Sequence, residues 1–514
     1  MATPRSAPQF LPWSTLSRYN QGVLTPIHRS RFFFVLLLSA VGYCAAGCVA
    51  ALGPGYTIEN QEIRVQFVPA PQPLIHVDAV YRLRNNGNQP LSSLELRLPG
   101  RRGFHFVDPR ADWDVQALAL ETSPANARNV LLRFPQSWTV AEVHTLHLAM
   151  QYQPAGADEV GLRFTPDAFV LPAGGWSPEL VPARGMFATG GVPPKTWHLV
   201  VRVPDGFLMH SSGRSSKTSR KGGQQTIRAL QQGKDGYPFV IAGRFLATKL
   251  LAGEETIHLW TRARQDAATL RQPADTLVRA IRAYDSMFGA RDTDAHQLWI
   301  VECPVVAGCF TSTASNYAKL ISGENQKTSA EMASSDSLMV DLSGGTPEIA
   351  AGAAPSLASS WLGYGRNPGF FEQTPPLSAL PAFAAANGRE AVQGPQIRAE
   401  TIVRALRTIP LHGEPREPED AAVLRAKSLL FFYGLQDFSG PEAFNNALRH
   451  MLYARRGGGF SLDDLISAFE QETHQNVAQF VRHWMKHPGV PGEFRARYEK
   501  NAEAIAPTSK ENTP

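Results

Sequence analysis

Cysteine is scarce in this chain, with four in 514 residues. Cys44 and Cys48 fall in an apolar N-terminal segment, which leaves Cys303 and Cys309 as the pair in the rest of the chain. No Cys or His stands at ligand spacing from them, which excludes a cysteine metal cluster. In an oxidising compartment so close a pair reads as a disulfide across a loop. Charge of one sign is lacking as well: 50 Lys and Arg against 45 Asp and Glu leave a formal +5. No basic run interleaved with aromatics appears, so nucleic acid is excluded as a partner. The densest basic cluster, Arg214 to Lys221, is broken by serines and reads as a solvated loop. There is no Gly-x-Ser-x-Gly elbow and no internal repeat. What remains is an ordinary globular composition, 43% hydrophobic and 18% charged, long enough for two or three domains.

The N-terminus carries the targeting information. Arg5, Arg18, Arg29 and Arg31 precede an uncharged run from Phe32 to Leu52, long enough for a membrane span or a signal peptide's apolar region. Within it, Ala45-Ala46-Gly47-Cys48 resembles a bacterial lipobox, with Cys48 as the lipidated residue and Ala45 where leucine is usual. The alternative is an uncleaved transmembrane anchor. Both place the body of the chain outside the cytoplasm, in the cell envelope, because the basic flank stays inside.

From Tyr56 to about Leu251 the pattern has a period of two. Ile63-Arg64-Val65-Gln66-Phe67, Ile75-His76-Val77-Asp78-Ala79 and Leu94-Glu95-Leu96-Arg97-Leu98 alternate apolar and polar. Turn signals such as Asn86-Gly87 and Pro204-Asp205-Gly206 punctuate them. This predicts an antiparallel sandwich or saddle. From Pro273 to Phe288 the period becomes helical, with Leu277, Ile281, Tyr284 and Phe288 on one face and the proline at the helix start. Leu298 to Val301 reads as a short buried strand, and Asn316 to Gly345 as irregular. From Ile349 onward the chain is mainly helical.

The segment Pro355-Ser356-Leu357-Ala358-Ser359-Ser360-Trp361-Leu362-Gly363 resembles the zinc helix of the aminopeptidase N family of gluzincin metallopeptidases, His-Glu-Leu-Ala-His-x-Trp-Phe-Gly. Leu357, Ala358, Trp361 and Gly363 match, and Leu362 stands for Phe. The resemblance implies that Pro355 and Ser359 replace the two histidine ligands and Ser356 the general-base glutamate. In a helical HExxH, residues four apart share a face, so both imidazoles reach one metal and the glutamate polarises its water. Proline and two serines supply none of this. The family's third ligand, a glutamate about eighteen residues further on, aligns with Ser378 beside Leu380 and Phe383. Its Tyr-x-Lys helix opening aligns with Arg425-Ala426-Lys427, so Arg425 stands where the transition-state tyrosine would be. Glu302 to Phe310 lies where the family grips the substrate's amino group, without its Met-Glu-Asn. Trp484 and Pro488-Gly489-Val490-Pro491 resemble the family's Trp-x-x-x-Pro-Gly-x-Pro ending.

Other groups carry less. His483 and His487 share a helical face, but Trp484 between them belongs to the packing signature and His487 precedes Pro488 at a helix end, where cations are favoured. His144 and His147 are three apart on a strand and point to opposite faces. Ser356, Ser359 and Ser360 lack a nearby histidine in sequence and read as small fillers of a vacated pocket. Glu372 reads as a loop carboxylate, and Arg425 as either an anion binder in the cleft or an ion-paired arginine.

The resemblance thus implies an α+β fold: an N-terminal antiparallel β-sandwich or saddle domain followed by a thermolysin-like, mainly helical gluzincin domain. The expected organisation is a signal, lipoprotein or anchor segment over 1–55, the β-rich domain over 56–252, the degenerate peptidase-like domain over 253–418, its C-terminal helical part over 419–500 and a disordered tail over 501–514. The expected function is a tethered pseudopeptidase that binds or scaffolds, with a peptide or protein partner in the old cleft and no cofactor. The alternative is a residual or atypical peptidase or hydrolase of the same family fold, and zinc is expected only if the inactive reading is wrong.

Overall fold

The computed structural model describes residues 55–505 apart from 98–104, 123–128, 155–163, 173–175, 182–193, 233–237, 265, 292–295, 305–329, 333, 335, 342–352, 354–355, 363–374, 411–420 and 455–460. The targeting segment with Cys44 and Cys48 lies outside the described residues, as do Cys309, Pro355 and Glu372. Among the described residues no helix is long and apolar enough to cross a membrane.

The β-rich part is built on an eight-stranded sheet. Its strands are β1 (Tyr56–Val68), β2 (Leu74–Asn85), β4 (His105–Trp113), β5 (Gln116–Leu118), β8 (Val143–Gln153), β11 (Thr196–Pro204), β13 (Arg214–Lys221) and β14 (Gln224–Gln232). They run in the order β13-β14-β11-β1-β2-β8-β4-β5. A four-stranded sheet holds β3 (Leu91–Arg97), β6 (Leu120–Thr122), β7 (Asn129–Trp138) and β10 (Glu179–Val181). A three-stranded sheet holds β9 (Ala168–Leu171), β12 (Leu208–Ser211) and β15 (Val240–Gly243). The period-two alternation sets the register: Ile63 pairs with Ala79, Val65 with Val77 and Phe67 with Ile75, and all six are buried. Two buried tyrosines tie the large sheet to the β10 segment. Tyr56 donates to the Val181 carbonyl at 2.6 Å and Tyr81 to that of Pro178 at 2.7 Å.

Two expectations change here. The sheet is not purely antiparallel, because β1 pairs with β11 in parallel over Gln61–Gln66. Arg214 to Lys221 is not a loop but edge strand β13, paired with β14. An edge strand has a ladder on one side only, and charged side chains there discourage pairing with another chain, so its composition imitates a solvated loop.

A second, five-stranded sheet follows the order β16-β17-β18-β20-β19, with β16 (Leu246–Ala252), β17 (Glu255–Thr261), β18 (Gln297–Glu302), β19 (Ala330–Met332) and β20 (Ser337–Val340). The boundary expected at 252 falls inside the β16–β17 hairpin, so this sheet begins at Leu246. The stretch expected as irregular contains β19 and β20. Leu338, Met339 and Val340 are fully buried beside β18, and burial on both faces removes the alternation a sequence reading needs.

The helices are α1 (Ala267–Phe288), a one-turn α2 (Ser359–Leu362), α3 (Leu380–Gln393), α4 (Gln396–Thr408), α5 (Ala421–Ser439), α6 (Pro441–Ala454), α7 (Leu462–Thr473), α8 (Val477–Lys486) and α9 (Gly492–Ile505). Helix α1 starts six residues before Pro273. Asp266 caps it by accepting the Ala268 amide at 3.2 Å. The expected face is correct: Leu277, Ile281, Tyr284 and Phe288 are buried. Ser461 and Asp464 form a reciprocal capping box on α7. Helix α5 carries Leu429 to Tyr433 and Leu435, all buried, and packs against α3, α4 and α6. Helix α9 continues through Ile505, beyond the expected boundary at 500, because Ala502 to Ala504 are good helix formers.

Candidate functional site

The packing residues of the zinc-helix-like segment lie in the core. Leu357, Ala358, Trp361 and Leu362 are buried in one cluster with Tyr284, Leu377, Ala379, Leu380 and Phe383. The Ala358 carbonyl accepts the amides of both Trp361 and Leu362 at 3.2 Å, closing a single turn. Trp361 packs at a tilt 4.9 Å from Tyr284 and donates its indole N–H to the Gly289 carbonyl at 3.0 Å. The segment is therefore fixed through its apolar side against α1.

The polar positions are distributed around that core. Ser356 is half-buried, Ser359 opens α2, and Ser378 sits half-buried in the 3-10 turn Leu377–Ala379 that leads into α3. Leu357 and Leu377, their sequence neighbours, share the same core, which brings the two segments to one region. Pro355 lies outside the described residues. Zinc takes imidazole, thiolate or carboxylate donors. The side chains at these positions offer hydroxyls or nothing, so this donor set does not fit zinc. Among the described residues no group of three or more His, Cys, Asp or Glu lies together as a metal site.

Arg425 lies on α5, half-buried, with its Nε buried and without a hydrogen-bond partner among the described residues; the Ser360 hydroxyl is in the same condition. Lys427, two residues on, faces elsewhere, as residues two apart on a helix do. Its ammonium donates to the carbonyls of Met485, at 3.3 Å, and His487. Burial holds its pKa below the usual lysine range. It thereby satisfies the C-terminal carbonyl groups of α8 and that helix's following residue.

The histidine pairs are structural. His487 accepts the Gly489 amide on Nδ1 at 3.2 Å, and His483 faces Glu493 at 3.5 Å. The ring centroids of the two histidines are 6.2 Å apart. His144 stacks on Trp113 at 4.9 Å and lies 2.7 Å from Asp114, while His147 stands between Asp78 and Asp112. They do lie on separate faces of β8.

Two groups escaped the sequence reading. In the first, Glu255 and Arg291 form a buried ion pair at 2.5 Å, with His296 at 3.3 Å from the same carboxylate. The Arg291 guanidinium lies 5.6 Å from the Trp361 ring centroid, against the zinc-helix-like turn. In the second, His210 of β12 and His258 of β17 both stack on the Trp299 indole, His210 at 3.8 Å and His258 at 4.7 Å, each nearly parallel to it. Asp336 lies 3.4 Å from His210 and accepts from the hydroxyls of Ser334 and Ser337. Burial pushes its carboxyl up, but these partners outweigh burial and hold it below the usual aspartate value. Burial holds His258 below the usual histidine value. Both groups join residues tens to more than a hundred positions apart, so no local spacing announces them.

No protein-family model and no curated sequence matches the chain. Solved structures do share its fold. The M1 zinc metallopeptidase from Deinococcus radiodurans superposes with a TM-score of 0.56 at 18% identity, covering 86% of this chain and 96% of that one. A variant of that enzyme bound to a Tyr-Ser-Ala substrate gives 0.55 at 18% identity with the same coverage. Legionella pneumophila aminopeptidase A, in complex with aspartic acid, gives 0.56 at 14% identity, covering 84% of this chain and 49% of that one. The fold is that of a two-domain M1 peptidase.

Proposed function

We propose that this chain is an exported, membrane-tethered aminopeptidase N-like protein that has lost peptidase chemistry and works as a binding or scaffold protein of the cell envelope. One observation carries the reading. The zinc-helix-like segment keeps its buried packing residues, Leu357, Ala358, Trp361 and Leu362, while its chemical positions hold Pro355, Ser356 and Ser359. Ser378 and Arg425 continue the pattern at the third-ligand and tyrosine positions. A fold retained without metal donors suits recognition better than hydrolysis. Tethering rests on the uncharged run from Phe32 to Leu52 and on Cys48 as its lipidated residue.

Elemental analysis of the purified full-length chain, paired with an aminoacyl reporter assay, tests the reading. The expected outcome is no stoichiometric zinc and no turnover above background. One tightly held zinc per chain with reporter cleavage would overturn it in favour of a working hydrolase.

A further inference from the structure

We infer that the valine-tipped end of the eight-stranded sheet seats the folded body on a lipid bilayer. The inference rests on the membrane-tethered reading and adds an orientation to it. Two turns carry the contact, one inside the β4–β5 hairpin and one linking β7 of the four-stranded sheet to β8 of the large sheet. In the β4–β5 turn, Asp114 takes a left-handed conformation (φ 55°) and is followed by Val115; in the β7–β8 turn, Val140 precedes Ala141 (φ 69°). Such turns favour Gly, Asn or Asp. Here each presents a β-branched apolar side chain to solvent, Val115 at 96% exposure and Val140 at 45%.

Hydrogen bonds place both tips at one end of the sheet. The Asp114 amide donates to the Thr145 carbonyl at 2.7 Å, and the Thr145 amide returns to the Asp114 carboxylate at 2.9 Å. The Ala141 amide donates to the Asn85 carbonyl at 2.8 Å, and the Asn85 amide to that of Glu142 at 3.1 Å. From there the Gly87 amide reaches the Gly55 carbonyl at 2.8 Å. Gly55 is the first described residue, and the uncharged run from Phe32 to Leu52 ends three positions before it in sequence. Beneath the tips Trp113 packs 4.1 Å from Phe134 and 5.3 Å from Trp138, an aromatic floor that makes the turns rigid.

A bilayer is the occupant that this chemistry fits. Two separate side chains fall far short of the roughly 1,200 Å² that a stable protein interface buries, whereas a bilayer accepts single apolar side chains one at a time. The charges at this end are mixed, with Asp114 and Glu142 on the turns and Arg84 of β2 donating to the Ala141 carbonyl, so attraction to anionic headgroups is not the driving force. The contact is weak by itself. A tether in the same chain makes it intramolecular, and effective concentration then does the rest.

The test uses the full-length chain on vesicles of phosphatidylethanolamine and phosphatidylglycerol. Hydrogen exchange is followed over residues 113–116 and 139–142, in the wild type and in Val115→Asp/Val140→Asp. Both are expected to sediment with vesicles through the tether, and the wild-type tips to exchange about tenfold more slowly than those of the variant after correction for sequence. If the wild type does not sediment, the tethered reading fails and takes this inference with it. If it sediments but its tips exchange as fast as the variant's, the docking is overturned and the tether stands. Protection that rises with protein density at fixed lipid would assign the tips to a second copy and also overturn it.

Discussion

The indole of Trp484 occupies the space that a side chain at Gly434 would need. A Cβ at Gly434 would stand 2.7 Å from Trp484 Cη2 and closer still to Cζ3. Trp484 is buried, and its ring also packs 5.1 Å from Phe494 and 5.7 Å from Phe480. It cannot retreat without moving α9. Gly434→Ala is therefore expected to destabilise the chain by about 1–3 kcal/mol through overpacking. Urea titration of the variant checks this; an unchanged midpoint would mean the helices slide apart at no cost.

The buried pair of Glu255 and Arg291 gives a second prediction. Arg291→Met removes one charge and leaves the Glu255 carboxylate in a dry site, which costs about 3–5 kcal/mol. Arg291→Met/Glu255→Met should recover most of that loss. Chemical denaturation of the two variants separates a charge effect from simple loss of packing against Trp361.

His258 makes stability depend on pH. Its folded pKa is depressed below 6.5, chiefly by burial against Trp299, with Lys249 and His210 contributing in the same direction and Gln297 opposing. A depressed histidine is neutral in the fold while the unfolded chain takes up a proton. Its stabilisation is full above pH 6.5 and is lost as pH falls through the lower folded value. Thermal melts of the wild type should show that acid-side decline, and His258→Gln should flatten it. Equal slopes in the two proteins would remove His258 from the account.

Rebuilding the zinc ligands should not rebuild a peptidase. Pro355→His, Ser356→Glu, Ser359→His and Ser378→Glu together restore the donor types. On the proposed reading Arg425 stands where the family's tyrosine would be, and an oxyanion donor is worth about 3 kcal/mol, roughly a hundredfold in rate. The combined variant is expected to gain zinc by elemental analysis and to show no aminoacyl-reporter turnover above background. Robust cleavage would confine the loss to the metal positions.

Cys48→Ser should abolish lipid labelling and leave the chain unprocessed. Metabolic labelling with a fatty acid and gel mobility read this directly. Labelling identical to the wild type would favour an uncleaved apolar anchor.

Much of the fold was legible because each of its signals is local. The alternation in β1 and β2 depends on one buried face, and the α1 face on a 3.6-residue period; both are written in consecutive residues. Strand β20 was not legible, since burial on both sides erases alternation, and neither was β13, whose composition reflects an edge. The start of α1 was misplaced because Pro273 is the louder signal and Asp266 the working cap. At the candidate site the packing residues were legible through a short contiguous motif. The Glu255–Arg291–Trp361 and His210–Trp299–His258 groupings were not, because each needs strands and helices distant in sequence to meet first.

Strand β1 has a mechanical consequence. It lies inside the large sheet with β11 on one side and β2 on the other, and it is the strand that the chain enters directly after Gly55. A force arriving through the preceding residues pulls along the β1 axis, across hydrogen bonds of two ladders that must break together in shear rather than one by one. A chain pulled from this end through an interior strand resists unravelling far better than one pulled through an edge strand.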